Sequence, residues 1–444
     1  MFRSGSIIPD QSVRTGNRIA FAFVTVMAAA TVLSFVHRFL PVVLLDDMRR
    51  DIQVSDLEFS SLQTAFAITY AVTTITSGWM ADRSNRRNLL VAGVVAWTLG
   101  SFVYGLATSF SGLFVGRILV GTGEAVLVPA GTSLMCSYVS AERRGKAFAI
   151  TYFGATLGTS LAFSGGGFLL EVARGGNFSD LPLISGLEPW RQVMLLLGGA
   201  GLLLIPALLA FREPPRPHKS APDGSRGFSQ LWQLRNLLWI ALLMGASIAI
   251  ADFAYTSWQT ALLTREYGVG VAAAGNSLGI TILVAGSIGA WVGGIAIDRV
   301  FKKRGRRGNP ETIVACAILM GLAPLAIQLP FAWSAVAAFA LWQAAANVAY
   351  VANAVTLHDI VDDRTRGLAT SLQVCLGIGV GLGAGPAGIA LLNTNLGGDA
   401  LGASLSLGIC GLAVGTATLG LALRSKLPKK AHMLLKISDI EKNS

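Results

Sequence analysis

Four charged side chains fall inside long apolar runs of this 444-residue chain: Arg38, Arg117, Glu124 and Asp252. His37, also titratable, stands next to the first of them. A charge at the centre of a bilayer costs about 2.5–3.5 kcal/mol on insertion scales, so each must face a wet cavity or a partner. Arg117, Gly121 and Glu124 recur at i, i+4 and i+7, which places them on one helical face with the glycine between two long side chains. A carboxyl that meets apolar walls in one conformation and a guanidinium in another gains and loses a proton between them. Glu124 is therefore read as a proton carrier, with Arg38 and Arg117 setting its affinity. A static ion pair that joins helices is the competing account. His37 is either a second carrier or a hydrogen-bonded packing residue. Thr31 and Ser34 share a face with Arg38, and Thr256 and Gln259 share one with Asp252. Gln343, Asn347 and Tyr350 repeat at i, i+4 and i+7. Together these residues are expected to line one cavity.

The elements that hold them are membrane helices. Charged residues make up only 13% of the chain against 53% hydrophobic, and the mean hydropathy is +0.59. A soluble domain carries roughly 25% charged residues, so an ordinary cytosolic enzyme, a disordered chain and a nucleic-acid binder are all excluded. A membrane helix needs about 20 mostly apolar residues. Twelve such runs are expected, near 19–45, 59–81, 88–108, 110–136, 147–170, 192–211, 236–262, 272–297, 312–331, 333–357, 367–392 and 402–423. The fold class is thus all-α membrane protein, with twelve transmembrane helices in two six-helix bundles, residues 19–211 and 236–423. A tail 1–18, a Pro-rich linker 212–235 and a basic tail 424–444 complete the division. The first run carries charge at its far end and no small-residue cleavage site follows, so it is read as a retained helix.

With the N-terminus cytoplasmic, the inside segments hold 28 of the 35 basic residues. The outside loops hold Arg49, Arg50, Arg174, Arg191 and Arg265. The net charge of +11 is then a topology signal. It predicts a multi-pass protein of the cell (inner) membrane, both termini cytoplasmic, with an anionic leaflet as neighbour. Cys136, Cys316, Cys375 and Cys410 lie in apolar runs without metal-ligand spacing and read as buried thiols.

The halves echo one another. Gly78 to Asp82, Arg83, Arg86 and Arg87 after span 2 is matched 216 residues later by Gly294 to Asp298, Arg299, Lys302 and Lys303 after span 8. With the same offset, Asp252 falls one residue before the position matching His37. Two six-helix halves of similar layout are the mark of a transporter built by duplication.

The twice-occurring Gly-x-x-x-Asp-Arg-x-x-basic-basic loop resembles the signature loop of the major facilitator superfamily, across spans 1 to 12. Within it, the N-half resembles the spinster-type transporters. The matching stretches are Ser55-Asp56-Leu57-Glu58-Phe59-Ser60, Arg117 to Gly121-Thr122-Gly123-Glu124-Ala125, and Pro129-Ala130. The family pattern has Asp-Arg in span 1, where this chain has His37-Arg38. The resemblance implies a central cavity lined by spans 1, 4, 7 and 10, the spans that already hold the awkward residues. It also implies that the loop acids latch the inside closed, Asp82 against the start of span 11 near Arg366 and Asp298 against the start of span 5 near Arg143. Gly78, Arg83, Arg87 and Arg299 belong to that latch; the competing account makes Arg83, Arg86 and Arg87 topology anchors only. The glycines Gly377, Gly379, Gly381, Gly383 and Gly385 with Pro386 suggest a helix that packs closely, or one that bends.

No phosphate-cradling loop, nucleophile–base pair or zinc spacing is present, so no enzyme activity, cofactor or metal is expected. The reading is a proton-coupled secondary transporter working by alternating access as a monomer. Its spinster-type resemblance implies an amphipathic, lipid-like substrate such as a lysophospholipid or sphingoid molecule. A symporter of a small organic anion, a sugar acid or aromatic carboxylate, is the alternative. A non-transporting sensor of transporter fold is a third, and would be expected to carry a long signalling tail. Partners are the substrate, protons and membrane lipids, with no nucleic acid.

Overall fold

The structure, a computed structural model, describes residues 11–178, 180–214, 234–361 and 365–427. Most of the linker, with Pro215, Arg216, Pro217, Lys219, Pro222 and Arg226, lies outside them, as do residues 428–444 and Arg364. Among the described residues all regular secondary structure is helix, with a looped segment at 175–178 and 180–188. Helix α1 is Gln11–Val43, α2 Leu45–Ile52, α3 Asp56–Arg83 and α4 Arg86–Leu106. Then follow α5 Phe110–Ala125, α6 Leu127–Tyr138, α7 Arg144–Arg174, α8 Pro189–Gly199 and α9 Gly201–Leu209. The second half holds α10 Arg235–Arg265, α11 Val271–Arg304, α12 Gly308–Leu322 and α13 Ala332–Ile360. It closes with α14 Arg366–Leu376, α15 Gly383–Asn395 and α16 Leu401–Lys426. Ten stretches are long and apolar enough to cross a membrane, and one of them, Val271–Gln328, contains both α11 and α12.

Local chemistry explains the boundaries. Ser55 caps α3 with a reciprocal box: its hydroxyl accepts from the Glu58 amide at 3.2 Å, and the Glu58 carboxylate accepts from the Ser55 amide at 2.8 Å. The Asn85 side chain accepts from the Asn88 amide at 2.8 Å and starts α4. Pro129 removes an amide that the Ala125 carbonyl would otherwise bind, and the helix is interrupted between α5 and α6 one residue after Ala125. Glu124 therefore sits at a bend. Helix α2 is not expected from the sequence, where the residues after 45 read as an outside loop. Its Leu45, Met48 and Ile52 lie at helical spacing, with Leu45 and Met48 buried.

Between α14 and α15 the glycine run Gly377–Leu382 adopts a π-helical turn. The same run also packs tightly: a Cβ on Gly385 would lie 2.5 Å from the Ile250 carbonyl oxygen. The close-packing reading of the run is seen in this approach, and the π-helical turn is a local departure from the α-helix within it. Of the four cysteines only Cys316 is fully buried; the others are half-buried.

The halves meet unequally at their two ends. One apolar core runs through the second half and continues into the first around α2, through residues such as Val43, Met48, Phe59 and Trp190. A separate core, with Phe23, Met27, Leu134 and Leu208, serves the end where α1 begins. Hydrogen bonds between halves join Thr64 to the Gly383 carbonyl at 2.9 Å and Ser160 to the Gly279 carbonyl at 2.8 Å. Both lie toward the end where α1 finishes, here the far end. The end where α1 begins is the near end.

Candidate functional site

Helices α1, α5, α3 and α7 place a charged centre in the first half. Arg38 binds Glu124 through Nη2 at 2.9 Å and Nε at 3.3 Å, both to Oε2. Both residues are buried, Arg38 at 4% and Glu124 at 1% exposure. Aromatic rings surround the guanidinium, with Phe35, Tyr70 and Phe66 centroids at 4.5, 5.0 and 5.2 Å. Oε1 of Glu124 is buried without a hydrogen bond among the described residues, and Ser34 is its polar neighbour. A single guanidinium thus holds one carboxylate oxygen and leaves the other toward the cavity lining.

That cavity, about 260 Å³, is lined by Thr31, Ser34, Arg38, Tyr70 and Glu124 and otherwise by apolar walls such as Met27, Leu127, Phe148 and Ile378. It extends toward the near end, where Tyr152 on its wall is 75% exposed. A second cavity of about 240 Å³ adjoins it, sharing Phe35 and Ala155. Asp252, Thr256, Gln343 and Asn347 line this one. Tyr350 donates to Asp252 at 3.3 Å. The two halves thus each contribute a titratable group to adjoining compartments, although the group in the first half is Glu124 and not His37, which the repeat had paired with Asp252.

Other expected site residues face elsewhere. Arg117 is 1% exposed and lines neither cavity. Its guanidinium donates to the carbonyls of Arg38 at 2.9 Å and His37 at 3.4 Å, and to Gln63. It pins α1 and α3 behind the Arg38–Glu124 pair. The His37 ring is fully buried and its Nε2 meets the Leu197 carbonyl at 2.9 Å, on α8. The carbonyl accepts, so that nitrogen carries the proton and the ring packs away from both cavities. Gln259 donates to the Ala335 carbonyl at 3.3 Å and is likewise remote from them. Helical spacing placed these three on plausible faces; which neighbour each face meets is decided by packing.

The loop residues lie at the near end. Gly78 approaches Pro129 of its own half. Asp82, Arg83, Arg143, Asp298 and Arg299 are exposed. Arg83 stacks on Trp79 with its centroid at 4.5 Å, and Arg87 donates to the Phe211 carbonyl at 3.0 Å. Arg366 opens α14, and its side chain lies outside the described residues. Arg86, quoted only as part of the repeat, binds Glu213 at 2.7 Å and Ser137 at 2.9 Å, tying α4 to α6 and to the end of α9.

At the far end the sequence reading missed a closure. Arg265 of α10 binds Asp46 of α2 at 2.8 Å and Asp56 of α3 at 2.9 Å, one cation across the two halves. Thr264 adds a bond to Asp46 at 2.8 Å, and Arg49 a second cation on Asp56 at 2.8 Å. A shallow cleft of about 610 Å³ lies over these pairs and is lined by Asp46, Arg49 and Arg265 themselves. The amphipathic spacing of 45–52 was a usable signal for α2. The pairing was not legible, because its partners lie 209 residues or more apart.

The profile of the Major Facilitator Superfamily matches residues 26–386. Among characterised relatives, an MFS-type efflux pump of Mycolicibacterium smegmatis is 26% identical over 304 residues, covering 67% of each chain. Protein spinster homolog 1 of Mus musculus is 26% identical over 328 residues, 68% of this chain and 58% of that one. The chain thus matches rather more than half the length of the spinster relative. A probable sulfoacetate transporter of Cupriavidus necator is 24% identical over 62% of this chain and 64% of its own. Among solved structures, a bacterial homologue of the human lysosomal transporter Spinster, in an inward-facing and unoccupied conformation, superposes with a TM-score of 0.76 at 22% identity, covering 91% of this chain and 95% of that one.

Proposed function

Because the chain belongs to the Major Facilitator Superfamily, and so is a multi-pass membrane protein of a transporter class, we propose that it is a proton-coupled secondary transporter of an amphipathic, lipid-like molecule, working by alternating access through twelve spans. The observation that carries this reading is the cavity of α1, α5 and α7. It offers one ionic centre, Arg38–Glu124, under apolar walls, and is sealed at the far end by Arg265. A charged headgroup would meet the ionic centre and a chain the walls. With the N-terminus cytoplasmic, as the basic residues argue, the near end faces inside and the arrangement is inward-facing. Asp82 and Asp298 would then latch the near end in the opposite state, where a charge at a helix start contributes roughly 0.3–1 kcal/mol.

Glu124 is the proposed proton carrier, since its carboxylate competes with substrate for the Arg38 guanidinium. The organic-anion alternative draws on the probable sulfoacetate transporter among the relatives and on Arg38 as an anion receptor. A ligand-stability screen of lysolipids and carboxylates separates the two. In proteoliposomes loaded with the best hit, Glu124→Gln is expected to lose accumulation driven by a proton gradient by at least about tenfold and to retain exchange. Gradient-driven uptake at the unsubstituted rate would remove Glu124 from coupling.

A further inference from the structure

The second cavity differs in kind from the first. Asp252 is the one charged residue in its lining, and no cation among the described residues is paired with it. Tyr350 donates one hydrogen bond to the carboxylate, and Thr256 stands beside it. Three phenyl rings line the same cavity, Phe35 and Phe39 from α1 and Phe253 from the residue next to Asp252 on α10. Phe39 and Phe253 lie nearly parallel, with centroids 6.4 Å apart and planes at 15°, and Phe35 lies 6.4 Å from Phe39. The Phe35 ring already carries the Arg38 guanidinium at 4.5 Å, so the charge of that cation is spent on Glu124 and on Phe35 rather than on Asp252.

A lone carboxylate in a small cavity lined with aromatic rings is chemistry that suits an organic ammonium. The carboxylate supplies charge, and the ring faces attract the diffuse cation through their quadrupoles. A hydrated metal ion has no use for phenyl walls; it seeks a shell of oxygen atoms. At about 240 Å³ the compartment, like the 260 Å³ cavity it adjoins, is smaller than the roughly 300 Å³ at which sites for whole drug-sized ligands begin, so each would take one part of an amphiphile that spans both.

We propose that the compartment bounded by Asp252, Phe39 and Phe253 is a subsite for an organic ammonium group, separate from the Arg38–Glu124 centre. It deepens the transporter reading by naming one part of the substrate. It rests on that reading for its meaning, though not for its test. Gln343 and Asn347, on the same wall, supply neutral oxygens and amides that can orient a polar substituent next to the ammonium.

The test is equilibrium binding to the purified full chain in nanodiscs, followed by thermal unfolding and by titration calorimetry. Three probes share one tail and differ in headgroup: hexyltrimethylammonium, hexan-1-ol and hexanoate. Hexyltrimethylammonium is expected to bind and to raise the unfolding midpoint, with the alcohol and the carboxylate at least about tenfold weaker. Asp252→Asn should weaken the ammonium probe about tenfold or more and leave the alcohol unchanged. Phe253→Leu keeps an apolar wall and removes the ring. It should weaken the ammonium alone by a few-fold to about thirtyfold, the range of one desolvated cation–π contact. This second variant carries the test if Asp252→Asn does not fold. Equal binding of all three probes, stronger binding of hexanoate, or an Asp252→Asn or Phe253→Leu protein with unsubstituted ammonium affinity would each overturn the subsite. Displacement of the ammonium by sodium at equal concentration would also overturn it, in favour of a metal-ion site. Because binding is read without transport, its outcome does not depend on whether Glu124 carries the proton. The coupling role and the ammonium subsite can therefore fail independently.

Discussion

The two compartments adjoin one another, yet they handle charge in opposite ways. In the first half, Glu124 is held by Arg38, and Arg38 is held in turn by three aromatic rings and backed by Arg117. In the second half, Asp252 faces open volume with a phenol and a hydroxyl for company. A buried pair is costly to break because the remaining charge has no water to turn to. A carboxyl at a cavity wall can be neutralised by a proton or by a ligand. The first centre is therefore part of the packing as well as the site, and the second is free to be chiefly a receptor.

The sharpest way to break this contrast is stability. Glu124→Ala strands the Arg38 guanidinium and is expected to cost about 3–5 kcal/mol. Asp252→Ala loses one hydrogen bond and should cost about 1 kcal/mol. Denaturation of the two variants in the same detergent would measure both, and equal losses would show that the halves are built alike.

The ends of the molecule extend the comparison. Arg265→Gln removes the cation shared by Asp46 and Asp56. The group is partly exposed, so the expected loss is roughly 1 kcal/mol, about a fivefold shift of population toward opening at the far end. Asp82→Asn should shift the population the other way, by less than fivefold, because only a charge–dipole contact at the near end is weakened. Spin-label distances at each end would read these changes. Shifts of the same sign in both variants would end the idea that the two ends alternate.

The smallest effect is expected at His37. A glutamine there keeps a donor for the Leu197 carbonyl, so His37→Gln should leave the midpoint of uptake between about pH 5 and 8 unmoved, although an unperturbed imidazole titrates near 6.5. A midpoint that moves would restore the proton-carrier role.

Much of this was legible before any coordinates. Apolar length and the basic asymmetry announce the helices, since a bilayer accepts little else. The cost of intramembrane charge singles out Arg38, Glu124 and Asp252, and the helical repeat groups Gln343 and Asn347 with Tyr350. Those signals are local. The spacing of Arg117 relative to Glu124 is equally local, but it could not say that Arg117 would turn to the carbonyls of α1 instead of the cavity. The same limit applies to His37, whose partner lies 160 residues away, and to Arg265, whose two carboxylates belong to the other half.

What the sequence indicated by itself is that the chain is built of long apolar helices and which side chains are too costly to leave unpartnered among them. Only the tertiary structure decided which of those side chains pair with one another and which face a cavity. It also decided at which end the two halves touch. The physical reason is range: hydropathy and helical periodicity act within some twenty residues, whereas a hydrogen bond is satisfied by whatever group the packed helices bring within about 3 Å.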